Sequence, residues 1–447
     1  MMLGFKPKRA RSPGEPAALQ EPLKQELRSS PAAQQTNVAR RTDAEVLALL
    51  KSFNEQLAAP YVDRVEEARA ITLALISKEH VIMVSQPGTA KSHMAKRAGD
   101  LLNAKFFKTQ LNKYTDPAQI FGPIDVKAFQ EGQYTTKTKE KLPEAEIAFI
   151  DEPFRGGSAI RDTLFSIMNE REMFDGEKTI PVPLRTIISA TNFVSYDTED
   201  QAFYDRFLLR HFIDPVKGNR VSNLVDAAWN MEFKGTGRVS KPIMSVADLD
   251  QAYELISKVD TSGIKEQFLE VLSRAETLIK QSGENDEAFI TDRRKGKALK
   301  LVAANALLEG RKHATMEDLI VLKYVLPADE REAKLITALL NDVISPTNHI
   351  NRMHSLQLNI NRSIEDMATH PNTISNFGDA QRAMAIAMAY ARKTSRTYSN
   401  KELRKAASEL TAAAKRLSDM TSKARALEQE QKPKTELMVL ERNGVSN

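Results

Sequence analysis

The stretch Val81-Ile82-Met83-Val84-Ser85-Gln86-Pro87-Gly88-Thr89-Ala90-Lys91-Ser92 constrains the fold more than any other part of the chain. Val81 to Val84 is a short apolar run with the length of a buried strand. Pro87 and Gly88 mark a loop, and Lys91-Ser92 opens an amphipathic run from His93 to Leu102. Strand, tight loop, Lys-Ser and helix is the layout of a phosphate-binding loop. Backbone N–H groups and the helix N-terminus cradle phosphates, the lysine reaches the β- and γ-phosphates, and the serine hydroxyl holds Mg²⁺. Gln86, Pro87, Gly88, Thr89, Ala90, Lys91 and Ser92 are therefore candidate nucleotide-binding residues. The pattern G-x-x-x-x-G-K-[ST] wants glycine where this chain has Ser85 and Ala90. An ordinary strand-to-helix turn that carries a lysine fits the same residues, so the loop does not decide alone.

A second stretch decides it. Glu146-Ile147-Ala148-Phe149-Ile150-Asp151-Glu152 is another apolar strand, ending in two carboxylates. Asp151 at a strand end can reach the hydration shell of Mg²⁺, and Glu152 can orient an attacking water. A strand ending in Asp-Glu is common by chance. One that follows Lys91-Ser92 by about sixty residues is much rarer. Together they make ATP and Mg²⁺ the leading ligands.

The chain has 447 residues, enough for two or three domains. With 41% hydrophobic and 28% charged residues the composition is that of a soluble globular protein. No apolar run approaches twenty residues, so no membrane span is expected. The N-terminus is Pro-rich and basic without an apolar stretch, unlike a secretory signal. The absence of cysteine excludes disulfide and thiol chemistry and is compatible with a reducing cytoplasm, the expected location. A net charge of +5 over this length does not argue for nucleic acid. The seven histidines lack metal-ligand spacing, which argues against zinc.

Met1 to Arg41 is rich in Pro, Ala, Gln and Ser and reads as disordered. Its basic cluster Lys6, Lys8, Arg9 and Arg11 is more simply a solvated tail than a binding arm. Helices are expected over Ala44–Leu57 and Asp63–Ser77. A strand is expected over Lys105–Leu111, and hairpins over Ile124–Thr138 and Arg171–Leu184. The helix Ala159–Asn169 follows Gly156-Gly157-Ser158. Arg185–Ala190 reads as a strand and Asp200–Arg210 as a helix. Alternating strands and helices over Val81–Ile213 predict a parallel sheet in a three-layer α/β domain. After Asn219 only helices are expected: Ala247–Lys258, Ile264–Gln281, Asp292–Leu308, Met316–Val325, Glu332–Thr347, Gln381–Lys393 and Asn400–Glu430. The end after Lys432 reads as frayed. There is no internal repeat.

From about Tyr61 to Leu326 the chain resembles the MoxR family of AAA+ ATPases, and within it the RavA-like branch. The resemblance rests on an ordered series: Gln86-Pro87-Gly88-Thr89-Ala90-Lys91-Ser92, Ile120-Phe121-Gly122-Pro123, Leu142-Pro143-Glu144-Ala145-Glu146-Ile147, Asp151-Glu152, Met168-Asn169-Glu170-Arg171, Ala190-Thr191-Asn192, Tyr204-Asp205-Arg206-Phe207 and Thr291-Asp292-Arg293-Arg294. It implies an AAA+ P-loop αβα domain (42–215), an all-helical lid (216–328) and a helical C-terminal extension (329–447). Alanine at position 90 is usual in the family; Ser85 in place of the first glycine is not. The resemblance further implies a ring, usually a hexamer, that hydrolyses ATP between subunits. Asn192 matches the sensor-1 residue that helps place the attacking water. Arg206 matches the arginine finger that acts on the neighbouring subunit's γ-phosphate, with Arg210, one turn along the same expected helix, as runner-up. Arg293 matches the sensor-2 arginine of the helical domain, which couples phosphate state to the angle between domains, and Arg171 is a candidate intersubunit residue or a simple helix-end charge. Val62 lies where the family places its adenine contacts. The two hairpins match pore-facing inserts.

The family typically works with a partner containing a von Willebrand factor A domain to remodel or activate a target protein. The leading function is therefore an ATP-driven chaperone-like remodeller. A nucleotide-binding scaffold without turnover is the alternative that Ser85 suggests; the intact Lys91, Ser92, Asp151, Glu152 and Arg206 argue against it. A nucleic-acid motor is the third class, against which stand one Trp, mild charge and no recognisable DNA-binding module.

Overall fold

The computed structural model describes residues 40–442 apart from 177, 196, 283–289, 370–373 and 398–400. The tail expected to be disordered lies outside these residues except for Arg40 and Arg41. Seven strands follow one another in the first half: β1 (Val81–Val84), β2 (Phe106–Gln110), β3 (Ile147–Asp151), β4 (Glu172–Asp175), β5 (Lys178–Pro181), β6 (Thr186–Thr191) and β7 (Leu209–Phe212). Five of them form one parallel sheet in the order β2-β3-β6-β1-β7. Val81 sits level with Ile188 on one side and Leu209 on the other. All phosphate-loop and carboxylate signals therefore emerge at one end of the sheet, the C-terminal ends of the strands.

Both faces of the sheet are covered. Val81, Met83, Ile147, Phe149, Ile188 and Leu209 pack into the cluster that contains α1 (Asp43–Ala58), α2 (Val65–Ser77) and α3 (Lys91–Leu102). Ile82, Ala148, Ile150 and Ile187 point the other way, onto α6 (Ser158–Glu170) and α7 (Thr198–Tyr204). Alternate residues go to opposite layers because the side-chain period of a strand is two. With both layers apolar, the strands read as continuous hydrophobic runs. The three-layer α/β expectation holds.

Two local expectations do not. The hairpin expected over Ile124–Thr138 is a short helix, α5 (Val126–Gln130), in a loop closed by the single bridge Ile124↔Thr136. The Asp125 carboxylate caps the helix by accepting from the Lys127 N–H, and this local bond outcompetes strand pairing. The loop returns against Gly122, after α4 (Pro117–Phe121). Gly122 has φ +113, and a Cβ there would meet the Lys137 carbonyl oxygen at 2.1 Å; the Ile120-Phe121-Gly122-Pro123 motif thus needs glycine. The helix expected over Asp200–Arg210 ends at Tyr204, and Arg210 lies on β7. Arg210 is not one turn along a helix from Arg206. The run Leu209 to Phe212 is drawn into the sheet because β1 offers a parallel partner there.

The hairpin β4–β5 forms as expected around Asp175-Gly176. Among the described residues the elements after β7 are helical: α8 (Arg220–Lys234), α9 (Val246–Ile256), α10 (Lys265–Ser282), α11 (Asp292–Leu308), a 3₁₀ segment Met316–Tyr324, α12 (Glu330–Ile344), α13 (Pro346–Thr369), α14 (Ile374–Thr397) and α15 (Lys401–Arg442). The backbone of α15 stays helical past Lys432, where fraying was expected, and carries Pro433 within it at the loss of one backbone donor. The last three helices pack on one another. Helix α11 is tied to the α/β layers by ion pairs. The buried Glu79 accepts from Lys297 at 2.9 Å and from Lys300, and Arg69 of α2 bonds Asn305 and Glu309, both at 2.6 Å.

Candidate active site

Strand β1 hands over to the loop without a break in pairing, since the Ser85 N–H still donates to the Thr191 carbonyl at 3.0 Å. The loop then turns on Gly88 (φ +85) and Ala90 (φ 62), both left-handed. Ala90 occupies the backbone conformation that the pattern's second glycine would adopt, at a cost of roughly 1–2 kcal/mol for an L-residue. The Lys91 ammonium is folded over the loop. It donates to the Ser85 hydroxyl at 2.6 Å, the Ser85 carbonyl at 3.2 Å and the Gln86 carbonyl at 3.3 Å. The Ser85 and Thr89 hydroxyls are 2.7 Å apart. Ser85 is thus a buried polar tie inside the loop. Burial lowers the Lys91 ammonium below its usual value, while Asp151 and Glu152 draw it back up.

Those two carboxylates end β3. Asp151 is half-buried and Glu152 buried. Glu152 is also left-handed, at φ 52, and strained backbone of this kind clusters at functional sites. One Glu152 carboxylate oxygen lies 3.5 Å from the Thr191 hydroxyl and 3.5 Å from Arg155 Nε. Arg155 carried no sequence signal, and Thr191 was read only as part of the Ala190-Thr191-Asn192 motif; the strand register, which sets Asp151 opposite Ala190, brings Thr191 beside Glu152. Asn192 is exposed at the end of β6 and, with Ser85, Gln86, Phe212, Asp214 and Lys334, lines a cleft of about 810 Å³ beside the loop. Val62 is half-buried in the turn between α1 and α2. Its neighbour Tyr61 meets His93 Nδ1 at 2.6 Å, one residue past Ser92, so that turn abuts the first turn of α3. The Ser92 hydroxyl and Asp151 carboxylate are hard oxygen donors that suit Mg²⁺ when phosphate oxygens complete its shell. Among the described residues no cluster of three or more His, Asp or Glu could hold a metal unaided.

The candidate arginines lie elsewhere. Arg206 precedes the N-terminal end of β7, and its guanidinium sits 3.8 Å from the Phe165 ring centroid. Its Nη1 donates to the Ala202 carbonyl at 2.5 Å, and its buried Nε has no partner. Arg293, at the start of α11, donates to the side-chain oxygen of Asn169 at the end of α6. Burial, and next the Arg293 charge, hold Arg206 below the usual arginine value, against Asp205 and Glu170. Both arginines therefore sit at the N-terminal ends of the strands, with the sheet between them and Lys91. Arg210 is buried over Tyr204 and bonded to backbone carbonyls of Tyr204 and Phe207. Arg171 caps α6, donating to the carbonyls of Ile167, Met168, Lys78 and Arg185. Both are thus bonded to backbone carbonyls of their own chain.

Known proteins share this architecture. Residues 48–253 match the family described as the MoxR domain in the MoxR-vWA-beta-propeller ternary systems. Residues 268–340 match an AAA lid domain. An uncharacterized protein of Methanocaldococcus jannaschii is 30% identical over 67% of this chain and 76% of its own length. Chaperone MoxR1 of Mycobacterium tuberculosis is 24% identical over 63% of this chain and 74% of its own length. A crystal structure of a proposed ATPase from Cytophaga hutchinsonii superposes with a TM-score of 0.54 at 17% identity, covering 67% of this chain and 96% of that one.

Proposed function

This chain belongs to the MoxR family of AAA+ ATPases, and we propose from that premise that it hydrolyses ATP between copies of itself in a ring, expected to be a hexamer. One copy supplies Lys91, Ser92, Asp151, Glu152 and Asn192; the next supplies Arg206 and Arg293. The observation that carries this reading is the position of the two arginines at the far end of the sheet from their own Lys91. Strands of four to six residues put roughly 10–16 Å of backbone between the two ends. The ion pairs of Glu79 and Arg69 hold α11, and with it Arg293, on that side.

Each side chain then has a task. Lys91 exchanges its loop carbonyls for phosphate oxygens. Mg²⁺, when bound at Ser92 and Asp151, neutralises charge on the phosphates. Glu152, fixed by its strained backbone and by Thr191, takes the proton of the attacking water, which Asn192 helps place. Arg206 and Arg293 of the neighbouring copy meet the negative charge that builds on the transferred group. Coupled to ring motion, this turnover would remodel or activate a target protein with a partner bearing a von Willebrand factor A domain, as the name of the matching family suggests.

The test is ATP turnover with the oligomeric state measured alongside. Lys91→Ala should lose nucleotide binding, and Glu152→Gln should bind ATP without hydrolysing it. ATP should raise the scattering mass of the wild type from smaller species to a ring. Equal turnover in wild type and Glu152→Gln, or only monomer in ATP at micromolar protein, would contradict the reading.

A further inference from the structure

Helix α6 carries Phe165 and Asn169 four residues apart, on one face of the helix. Each touches one of the two arginines. The Arg206 guanidinium lies over the Phe165 ring at 3.8 Å. That ring is itself keyed into the core: it meets Phe203 edge-on at 5.5 Å, and the fully buried Phe203 meets Phe207 at 5.5 Å and 89°. One turn further along, the Asn169 side-chain oxygen accepts from Arg293.

We propose that Phe165 and Asn169 are positioning residues, a rack on α6 that holds Arg206 and Arg293 side by side for the triphosphate of a nucleotide bound to a second copy of this chain. The proposal rests on the reading of both arginines as acting on a neighbouring copy. Its physical basis is threefold. Two like charges held together and half-buried repel each other unless an anion is brought to them. The Arg206 guanidinium makes one hydrogen bond within the chain, from Nη1 to the Ala202 carbonyl, so most of its fork is uncommitted there. An arginine also carries about 2 kcal/mol of rotamer entropy, and a planar stack with one backbone bond removes much of that freedom before the anion arrives, which is how preorganised groups gain their effect. Phe165 is only half-buried at the edge of the core, so variants can separate its packing on Phe203 from its contact with Arg206.

The experiment uses the full-length chain and reads kcat and KM for ATP, binding of a fluorescent ADP analogue, and the thermal midpoint. Phe165→Leu keeps apolar volume and removes the ring face; Phe165→Tyr keeps the face. Phe165→Leu should lower kcat two- to thirtyfold, the range for a guanidinium on an aromatic face. KM and analogue binding should stay within twofold, and Phe165→Tyr should recover most of the rate. In an Arg206→Ala background Phe165→Leu should have no further effect on kcat. Asn169 is exposed, so Asn169→Ala leaves the core intact and carries the test should Phe165→Leu fail to fold; it too should lower kcat with binding unchanged. Wild-type kcat in both variants, where Arg206→Ala loses turnover, overturns the rack and leaves the arginine reading standing. Turnover retained in Arg206→Ala overturns the parent reading instead. A Phe165→Leu loss that persists in the Arg206→Ala background, or that Phe165→Tyr does not recover, assigns Phe165 to packing and overturns the proposal.

Discussion

Lys91 and Arg206 stand at opposite ends of one parallel sheet: Lys91 follows the C-terminal end of β1, and Arg206 precedes the N-terminal end of the adjacent β7. Under the proposed function these are two halves of a phosphate site that the fold of one chain keeps apart. Arg293 shares the Arg206 end, and ion pairs from α11 to Glu79 keep it there.

On the proposed function, the Ser85 hydroxyl competes with phosphate for Lys91. Three loop acceptors already engage the ammonium, and the closest is Ser85 Oγ at 2.6 Å. Ser85→Ala removes that acceptor and should raise nucleotide affinity roughly two- to tenfold, the equivalent of one net hydrogen bond. Titration of both proteins with a fluorescent ADP analogue checks this. Weaker binding in Ser85→Ala would show instead that the hydroxyl contacts the phosphates.

His80 gives the fold an acid-sensitive point. It is fully buried; its Nδ1 accepts from the Ile187 N–H, and Arg171 is its closest charged neighbour. Burial first, and then the Arg171 charge, push it well below the usual histidine value. In the unfolded chain it takes up a proton below about pH 6.5, which the folded chain does not. Its contribution to stability is therefore complete above that pH and falls as pH drops through it, by about 1.4 kcal/mol per unit. His80→Asn should flatten this part of the stability–pH curve between pH 7.5 and 5.5. Identical slopes in the two proteins would contradict the assignment.

Glu79 should matter more to the fold than either of its lysines. It is buried, whereas Lys297 and Lys300 remain partly exposed. Glu79→Ala leaves two cations facing each other without their counter-charge and should destabilise by about 1–3 kcal/mol after allowance for solvent screening. Lys297→Ala leaves Glu79 one partner and should cost less. Thermal unfolding of the two variants decides, and an unchanged midpoint in Glu79→Ala would mean that the pair does not hold α11.

Much of this was legible in the residues. The runs Val81–Val84 and Ile147–Ile150 are apolar on both faces, as strands of a covered parallel sheet are. Asp175-Gly176 marked its hairpin. What the sequence hid depends on tertiary context. Arg210 reads as helical by its neighbours, yet β1 recruits it into the sheet. Asp125 turns a hairpin-like stretch into a capped helix through one side-chain bond. Helix α8 went unread, although Leu224, Val225, Trp229 and Phe233 recur at helical spacing; they stay exposed, so no core demanded the helix. Helix α13 is rich in Asn, Ser and His, poor helix formers, and is held by its packing on α14 and α15. At the site, Lys91, Ser92, Asp151 and Glu152 announced themselves by motif. Arg155 and Phe165 did not, because their contacts exist only once distant segments meet, and Thr191, although part of the Ala190-Thr191-Asn192 motif, gave no sign of its contact with Glu152.

The most direct test of shared catalysis mixes two dead proteins. Arg206→Ala retains its own Lys91 and Glu152, and Glu152→Gln retains its own Arg206; each alone should be nearly inactive, since such fingers contribute roughly 10³–10⁵-fold. In a mixed ring some interfaces pair an intact Glu152 with an intact neighbouring Arg206. ATP hydrolysis should return on mixing and peak near equal amounts of the two variants. A mixture that stays inactive, while mass measurement shows both variants in the same rings, would contradict the claim that Arg206 completes the site of its neighbour.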